Sequence, residues 1–328
     1  MKCINKWICL SLLIAVSCVS GCGKTSAAIE QPYDVYATAA DFGLSSNGTA
    51  EAKSYFASDL CVSEDVAIGT DSTDSQVAEG AGTFNLETNT VVYAKNLYER
   101  LYPASTTKIL TAYIALKYCD DLDAMVTVSE NAVNQASDSS VCNLKAGDVI
   151  RLRDLLYGLM LRSGNDAAVA IAEYISGDVD SFAALMNQEA AAMGATRSHF
   201  VNPNGLPDEN HYTCVYDMYL IFSNAIKNDT FVSIIGTTSY DVTYTDASGE
   251  AVTHTWENTN QYLTGNATTP DGFQIVGGKT GTTGEAGYCL GLYSYNPSGQ
   301  PIISIVFKAD GKSNLYLLMN EMLQGFAI

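Results

Sequence analysis

A chain of 328 residues, 47% of them hydrophobic, is long enough to bury the core of one large domain or two modest ones. With 17 Lys and Arg against 36 Asp and Glu, its formal net charge is −19, which excludes charge-driven binding to nucleic acid or to anionic lipid. Three histidines and no G-x-S-x-G string make a serine–histidine–aspartate triad a poor fit.

The first 22 residues read apart from the rest. Lys2 and Lys6 form a short basic start, and Trp7 to Val19 is an apolar run of 13 residues. That run falls short of the roughly 20 residues of a membrane-spanning helix and suits the core of an export signal. It ends in Val19-Ser20-Gly21-Cys22, which is similar to the bacterial lipoprotein box, where small residues precede a cysteine that becomes the lipidated N-terminus. A signal peptide over 1–21 and a lipid on Cys22 are expected; ordinary cleavage near Ala27-Ala28, with Cys22 incidental, is the plainer alternative. Both imply export. Loss of residues 1–21 removes two lysines and no acid, taking the net charge from −19 to −21, so attachment to a membrane would depend on the covalent lipid.

From Gly23 to about Asp59 the chain is rich in Ala, Ser and Thr without sustained periodicity, although Phe42, Tyr55 and Phe56 could dock somewhere. The region 22–59 reads as a lipid-anchored flexible linker, averaging roughly 30–35 Å from end to end. A folded domain is expected over 60–328. Val62 to Gly69 and Ala81 to Ala94 have the pattern of a strand pair, with Glu87-Thr88-Asn89 as the turn. Pro103 precedes a helical run from Ala104 to Tyr118. Arg151–Leu161 and Asp166–Ile175 read as helices broken by Ser163-Gly164-Asn165, and Ser181–Met193 as a third helix stopped by Gly194. Strand patterning returns from Phe273 to Phe307, with turns at Gly281-Thr282-Thr283-Gly284 and Asn296-Pro297-Ser298-Gly299; Leu315–Phe326 is an amphipathic helix. Strands, a helical middle, then strands and a last helix predict an α+β fold. Its antiparallel sheet would be built from both chain ends and flanked by helices, with a helical subdomain inserted. Of nine cysteines, Cys3, Cys9 and Cys18 leave with the signal. Cys61, Cys119, Cys142, Cys214 and Cys289 then remain beside Cys22, at spacings that make neither a disulfide framework nor a zinc pattern, though one pair could bridge.

Three strings carry the chemistry: Ser105-Thr106-Thr107-Lys108, Ser163-Gly164-Asn165 and Lys279-Thr280-Gly281. They follow the order S-x-x-K, S-x-N, K-T-G of penicillin-interacting serine enzymes. Serine at i and lysine at i+3 share a helix face, about 5–6 Å apart at Cβ, the relation a nucleophile and its base require. Burial, or a second cation for which Lys279 is the candidate, would lower the lysine's affinity for its proton. Ser105 near a helix N-terminus also sits where negative charge is favoured. Each string alone has a bland reading: a helix start with a solvated lysine, a helix cap, a turn on a strand edge. Gly277, Gly278, Gly281 and Gly284 around the third string favour close approach of a ligand backbone.

The strings extend into Pro103-Ala104-Ser105-Thr106-Thr107-Lys108-Ile109-Leu110-Thr111 and Leu155-Leu156-Tyr157-Gly158-Leu159-Met160-Leu161 before Ser163-Gly164-Asn165-Asp166-Ala167-Ala168. His199-Phe200-Val201-Asn202-Pro203-Asn204-Gly205-Leu206, His211-Tyr212, and Lys279-Thr280-Gly281 before Ala286-Gly287-Tyr288-Cys289-Leu290 complete the set. Over roughly residues 60–325 the chain resembles the low-molecular-mass penicillin-binding proteins, the serine D-alanyl-D-alanine carboxypeptidases of the peptidase S11 type. The resemblance implies a D,D-peptidase/β-lactamase-like fold and acyl transfer from the terminal D-Ala-D-Ala of a peptidoglycan stem peptide. It casts Ser105 as nucleophile, Lys108 as base, Ser163 as proton relay and Asn165 as holder of Lys108 and the substrate backbone. Lys279, Thr280, Gly281 and Thr282 form the substrate-binding edge, and the Ser105 and Thr282 amides the oxyanion hole. β-Lactams are expected to acylate Ser105, and no metal or organic cofactor is implied. The expected location is the outer face of the bacterial cytoplasmic membrane, held by the N-terminal lipid.

Two departures from the family pattern matter. The reading expects no β-rich second domain or C-terminal anchor helix after the catalytic domain, and Trp256–Gly278 has none of the arginine that some relatives carry before K-T-G. A class A β-lactamase shares the motif order but relies on an E-x-x-L-N string; here Glu209 stands in a Pro-Asp-Glu-Asn context instead. D,D-endopeptidase action on cross-links and a non-hydrolytic wall-peptide-binding lipoprotein also stay open. A zinc peptidase built on His199, Asp208 and His211 lacks an E-x-x-H string to complete its ligands.

Overall fold

The computed structural model describes residues Ala57–Ile328, which form one compact unit. The expected signal peptide, Cys22 and nearly all of the expected linker lie outside the described residues.

The central sheet takes strands from both ends of this unit. β1 (Ala78–Asn85) and β2 (Thr90–Lys95) form a hairpin; β7 (Gln274–Thr283), β8 (Gly287–Tyr295) and β9 (Pro301–Ala309) follow some 180 residues later in an antiparallel order β2-β1-β9-β8-β7. β9 is central and buried along its length because helices cover both faces. Its alternation sorts Ile302 and Val306 to one side and Ile303, Ile305 and Phe307 to the other, as the two-residue period of a strand requires.

The first face packs on the last helix, α8 (Lys312–Phe326), through Leu315, Leu318, Met319, Met322 and Leu323. A helix of this length is marginal alone in water, whereas each large apolar side chain so buried contributes about 1.5–3 kcal/mol. Docking on the sheet therefore decides that the segment is helical. The other face carries the larger core. It centres on α1 (Lys108–Tyr118), which is buried almost all round instead of showing one apolar stripe.

Between the sheet halves lie β3 (Met125–Thr127), α2 (Glu130–Val133), β4 (Val149–Arg151), α3 (Leu152–Tyr157), α4 (Asn165–Ser176), α5 (Val179–Ala192), α6 (Val215–Ala225), α7 (Asp229–Ile235), β5 (Ser239–Thr245) and β6 (Ala251–Glu257). The α+β architecture and the inserted helices match the expectation. The strand pairing of Val62–Gly69 does not: one bridge, Ile68 to Ala94, is all that forms, and Val62 and Val66 face solvent. The turn expected at Gly281–Gly284 is also displaced. β7 runs through Thr283, and Gly281 and Gly284 have no positive φ. A second sheet, β3-β4-β5-β6, was not anticipated; most β5 and β6 side chains are exposed or half-exposed, so the apolar signal is weak. All five described cysteines are free, four of them buried and Cys119 half-buried, so no pair bridges.

The loop Asn202–Leu206 braces the start of α1. Gly205 has φ +86°, and a β-carbon there would stand 1.9 Å from the Ala104 carbonyl oxygen. Gly249, in the β5–β6 turn, has φ +89° with open space around it. Gly249→Ala should therefore cost only the backbone term, about 1–2 kcal/mol in urea unfolding. Gly205→Ala should cost about 1–3 kcal/mol more through overlap. Equal losses would contradict the close packing assigned to Gly205.

Candidate active site

Ser105 lies on a 3₁₀ turn, Ala104–Thr107, that feeds directly into α1. Three residues per turn eclipse positions i and i+3, so Ser105 and Lys108 stand closer in line than on a regular α-helix, with Oγ and Nζ 2.9 Å apart. Ala104 holds φ +47° just before the serine, a left-handed conformation costing about 1–3 kcal/mol for a non-glycine residue. The surroundings fix it. Thr106 Oγ1 donates to the Pro103 carbonyl (2.7 Å) and Thr111 Oγ1 to that of Pro203 (2.7 Å). His211 lies 2.9 Å from Thr107 Oγ1 through Nε2. Its Nδ1 accepts from the Val201 amide at 3.2 Å, which puts the proton on Nε2. Burial pushes the imidazole down to about 4, so it stays neutral.

Lys108 is completely buried. Its amine reaches Ser105 Oγ at 2.9 Å, Asn165 Oδ1 at 2.8 Å and the Asn204 carbonyl at 2.6 Å. The last two can only accept. A neutral amine has two N–H bonds and one lone pair, so it can donate to both carbonyl-type oxygens and turn its lone pair to the serine hydroxyl. Burial, followed by the nearby Lys279, pushes Lys108 well below the ordinary lysine range. The contacts accommodate such a neutral amine, and burial together with the Lys279 charge disfavours the ammonium.

The second string begins where α3 runs through a π turn, Gly158–Arg162, and the chain reverses at Ser163, φ +61°, before α4. This places Ser163 Oγ 3.0 Å from Lys279 Nζ and brings Asn165 to Lys108. Lys279 is buried on β7 and also donates to its neighbour Thr280's carbonyl at 2.9 Å; burial takes its pKa down to about 7. A β-carbon on Gly281 would approach the Ser105 amide nitrogen to 2.8 Å. Glycine here lets β7 lie directly beside the Ser105 backbone.

Two cavities meet at Ser105. One of about 210 Å³ lies along β7, lined by Ser163, Thr259, Thr280, Thr282 and Lys312 among others. Thr280 and Thr259 hydroxyls are 2.6 Å apart there. The other, about 410 Å³, extends past Asn165 and Asn204 between the 136–140 and 282–285 segments. The structure thus gathers Ser105, Lys108, Ser163, Asn165, Lys279, Thr280, Gly281 and Thr282; of the expected site residues only Cys22 lies elsewhere, outside the described residues. Sequence reasoning missed Lys312, which no motif marks and which reaches the cleft because α8 starts three residues before its expected N-terminus. It also missed the Asn204 carbonyl and the buried Asp166 carboxylate, which accepts the amides of Cys142 and Leu144. Glu209 lines neither cavity. His199 Nδ1 is taken by the Asn210 carbonyl (2.6 Å), and both His211 nitrogens are engaged, so the zinc reading has no free imidazole pair.

Residues 69–311 match the family of D-alanyl-D-alanine carboxypeptidases. A D-alanyl-D-alanine carboxypeptidase of Bacillus subtilis is 34% identical over 251 residues, which cover 75% of this chain and 61% of that protein. One from Streptomyces strain K15 is 34% identical over 265 residues, covering 76% of this chain and 88% of the relative. The crystal structure of the Streptomyces K15 DD-transpeptidase superposes with a TM-score of 0.69 at 33% identity, covering 77% of this chain and 98% of that one. The chain belongs to the D-alanyl-D-alanine carboxypeptidase family, and its serine–lysine cleft is carried on that family's fold.

Proposed function

We propose that this protein is a serine D,D-carboxypeptidase that removes the terminal D-alanine from peptidoglycan stem pentapeptides. The observation that carries the reading is the buried Lys108 amine, 2.9 Å from Ser105 Oγ with its N–H bonds committed elsewhere. Ser105 Oγ attacks the carbonyl between the two D-alanines while its proton passes to Lys108. The Ser105 and Thr282 amides hold the developing oxyanion; losing one such donor typically costs about 10²–10³ in rate. Ser163, tied to Lys279, relays the proton taken up by Lys108 to the departing D-alanine amine, which leaves Lys108 neutral again. Water then adds to the acyl-enzyme, giving up a proton to Lys108, and Ser105 is restored as the tetrapeptide leaves.

The terminal carboxylate would lie in the cavity along β7, against Thr280 and Thr282, with Lys279 buried behind them. Lys312 supplies the exposed cation that the arginine-free stretch Trp256–Gly278 does not. A β-lactam presents the same carbonyl and carboxylate and leaves Ser105 acylated. The Streptomyces neighbour is named a transpeptidase, so transfer to an amine acceptor is the second reading. Product analysis with added glycine separates it from hydrolysis.

D-alanine release from a Lys-D-Ala-D-Ala peptide by the purified chain tests the proposal. Ser105→Ala should abolish penicillin labelling and lower release by at least about 10⁴-fold, and Lys312→Gln should raise KM several-fold. Penicillin labelling without release would contradict the carboxypeptidase assignment. Residual labelling of the Ser105 variant would remove the nucleophile.

We further propose export and lipid anchoring at Cys22, with the catalytic domain facing the wall from the outer surface of the cytoplasmic membrane. The support is the Val19-Ser20-Gly21-Cys22 string after its apolar run. Cys22→Ser should move the protein from the membrane fraction to the soluble exported fraction; an unchanged distribution would contradict lipidation.

A further inference from the structure

The two cavities that meet at Ser105 carry opposite charge. Along β7 the only charged lining residue among those described is Lys312, with Lys279 buried behind it. Among the described residues the larger cavity has no basic lining residue and two carboxylates, Asp138 and Glu285, one on each wall. Asp138 and Glu285 are exposed and have no ion-pair or hydrogen-bond partner among the described residues.

Both are presented by braced backbone. The segment bearing Asp138 is held where the Asn165 amide donates to the Ser140 carbonyl (2.8 Å) and Asp166 accepts the Cys142 and Leu144 amides (2.9 and 3.1 Å). Glu285 sits in the tight β7–β8 turn, where the Ala286 amide donates to Thr283 Oγ1 at 3.0 Å. Asn165 therefore touches both the catalytic amine and the acidic wall.

Resting on the D,D-carboxypeptidase reading, the orientation of the substrate follows. With the terminal carboxylate against Lys312 and the scissile carbonyl at Ser105, the residue preceding the D-Ala-D-Ala pair must extend into the larger cavity. We propose that the Asp138/Glu285 end of the cleft is a specificity subsite for a side-chain ammonium on that residue. It would select stem peptides whose side-chain amine is free over those in which it is acylated. Two unpaired carboxylates lining one cavity of about 410 Å³, with no basic residue in the described lining, favour a cation there. Because both are exposed, the attraction is modest and screened by salt.

The test compares Nα-acetyl-Lys-D-Ala-D-Ala with its Nα,Nε-diacetyl counterpart on the full chain at low ionic strength. Two readouts run in parallel: D-alanine release, and protection of Ser105 from a fluorescent penicillin. The free-amine peptide should be preferred roughly three- to ten-fold. The preference should fall close to one in Asp138→Asn/Glu285→Gln and invert in Glu285→Lys. Glu87→Gln, on the β1–β2 turn next to the opposite sheet edge, should leave it intact, which separates the local carboxylates from the overall negative charge. Equal protection by both peptides in the wild type, or a preference surviving the double substitution, would overturn the subsite. Protection is read without turnover, so absent D-alanine release beside an intact preference would refute only the carboxypeptidase reading.

Discussion

An amine with no access to water, facing one hydroxyl, is the constraint on which the rest of this structure depends. Lys108 must be buried to lose its proton, yet it needs polar partners to be buried at all. Asn165 and the Asn204 carbonyl satisfy its N–H bonds without adding negative charge that would restore the proton. A carboxylate in either place would hold the ammonium and destroy the base. The arrangement opposes folding. An unfolded lysine keeps its proton up to a pH of about 10.4, so between the lowered folded pKa and that pH folding releases it. This term grows less favourable as pH falls toward the folded pKa, and the large apolar core offsets it.

The fold is the means of bringing three distant strings to that amine. Ser105 and Lys108 come from the turn entering a helix buried in the main core, Ser163 and Asn165 from the break between α3 and α4, and Lys279 from the edge strand of the central sheet. β7 can reach Ser105 because Gly281 leaves room beside its amide. The helical insertion contributes one wall of the cleft, and the sheet the other. Local backbone departures cluster where these elements meet, at Ala104, Ser163 and the π turn before it.

Much of the site was legible in the sequence because its chemistry rests on side chains at fixed short spacings. A serine three residues before a lysine, followed by S-x-N and K-T-G, names seven of the residues now seen together. The sheet from both chain ends was legible because β8 and β9 are near-continuous apolar runs bounded by turn residues. What escaped detection acts through backbone or through tertiary placement. The Asn204 carbonyl carries no sequence signal, since any residue has one. Lys312 matters only because α8 begins at the cleft. The β5–β6 hairpin is too polar to show a buried face, and Gly281, expected in a turn, lies within β7 where it packs beside the Ser105 backbone. The extended stretch at Val62–Gly69 has strand-forming residues but almost no partner to pair with.

The protonation state of Lys108 is the most direct test. Lysine side chains carrying ¹³C at Cε can be followed by NMR across pH, with the Lys108 signal assigned by its loss in Lys108→Arg. Lys108 should titrate well below the ordinary lysine range and shift to higher pH in Lys279→Gln, where the neighbouring positive charge is gone. A Lys108 signal that remains charged until a pH of about 10.4 would contradict the assignment of this amine as the base.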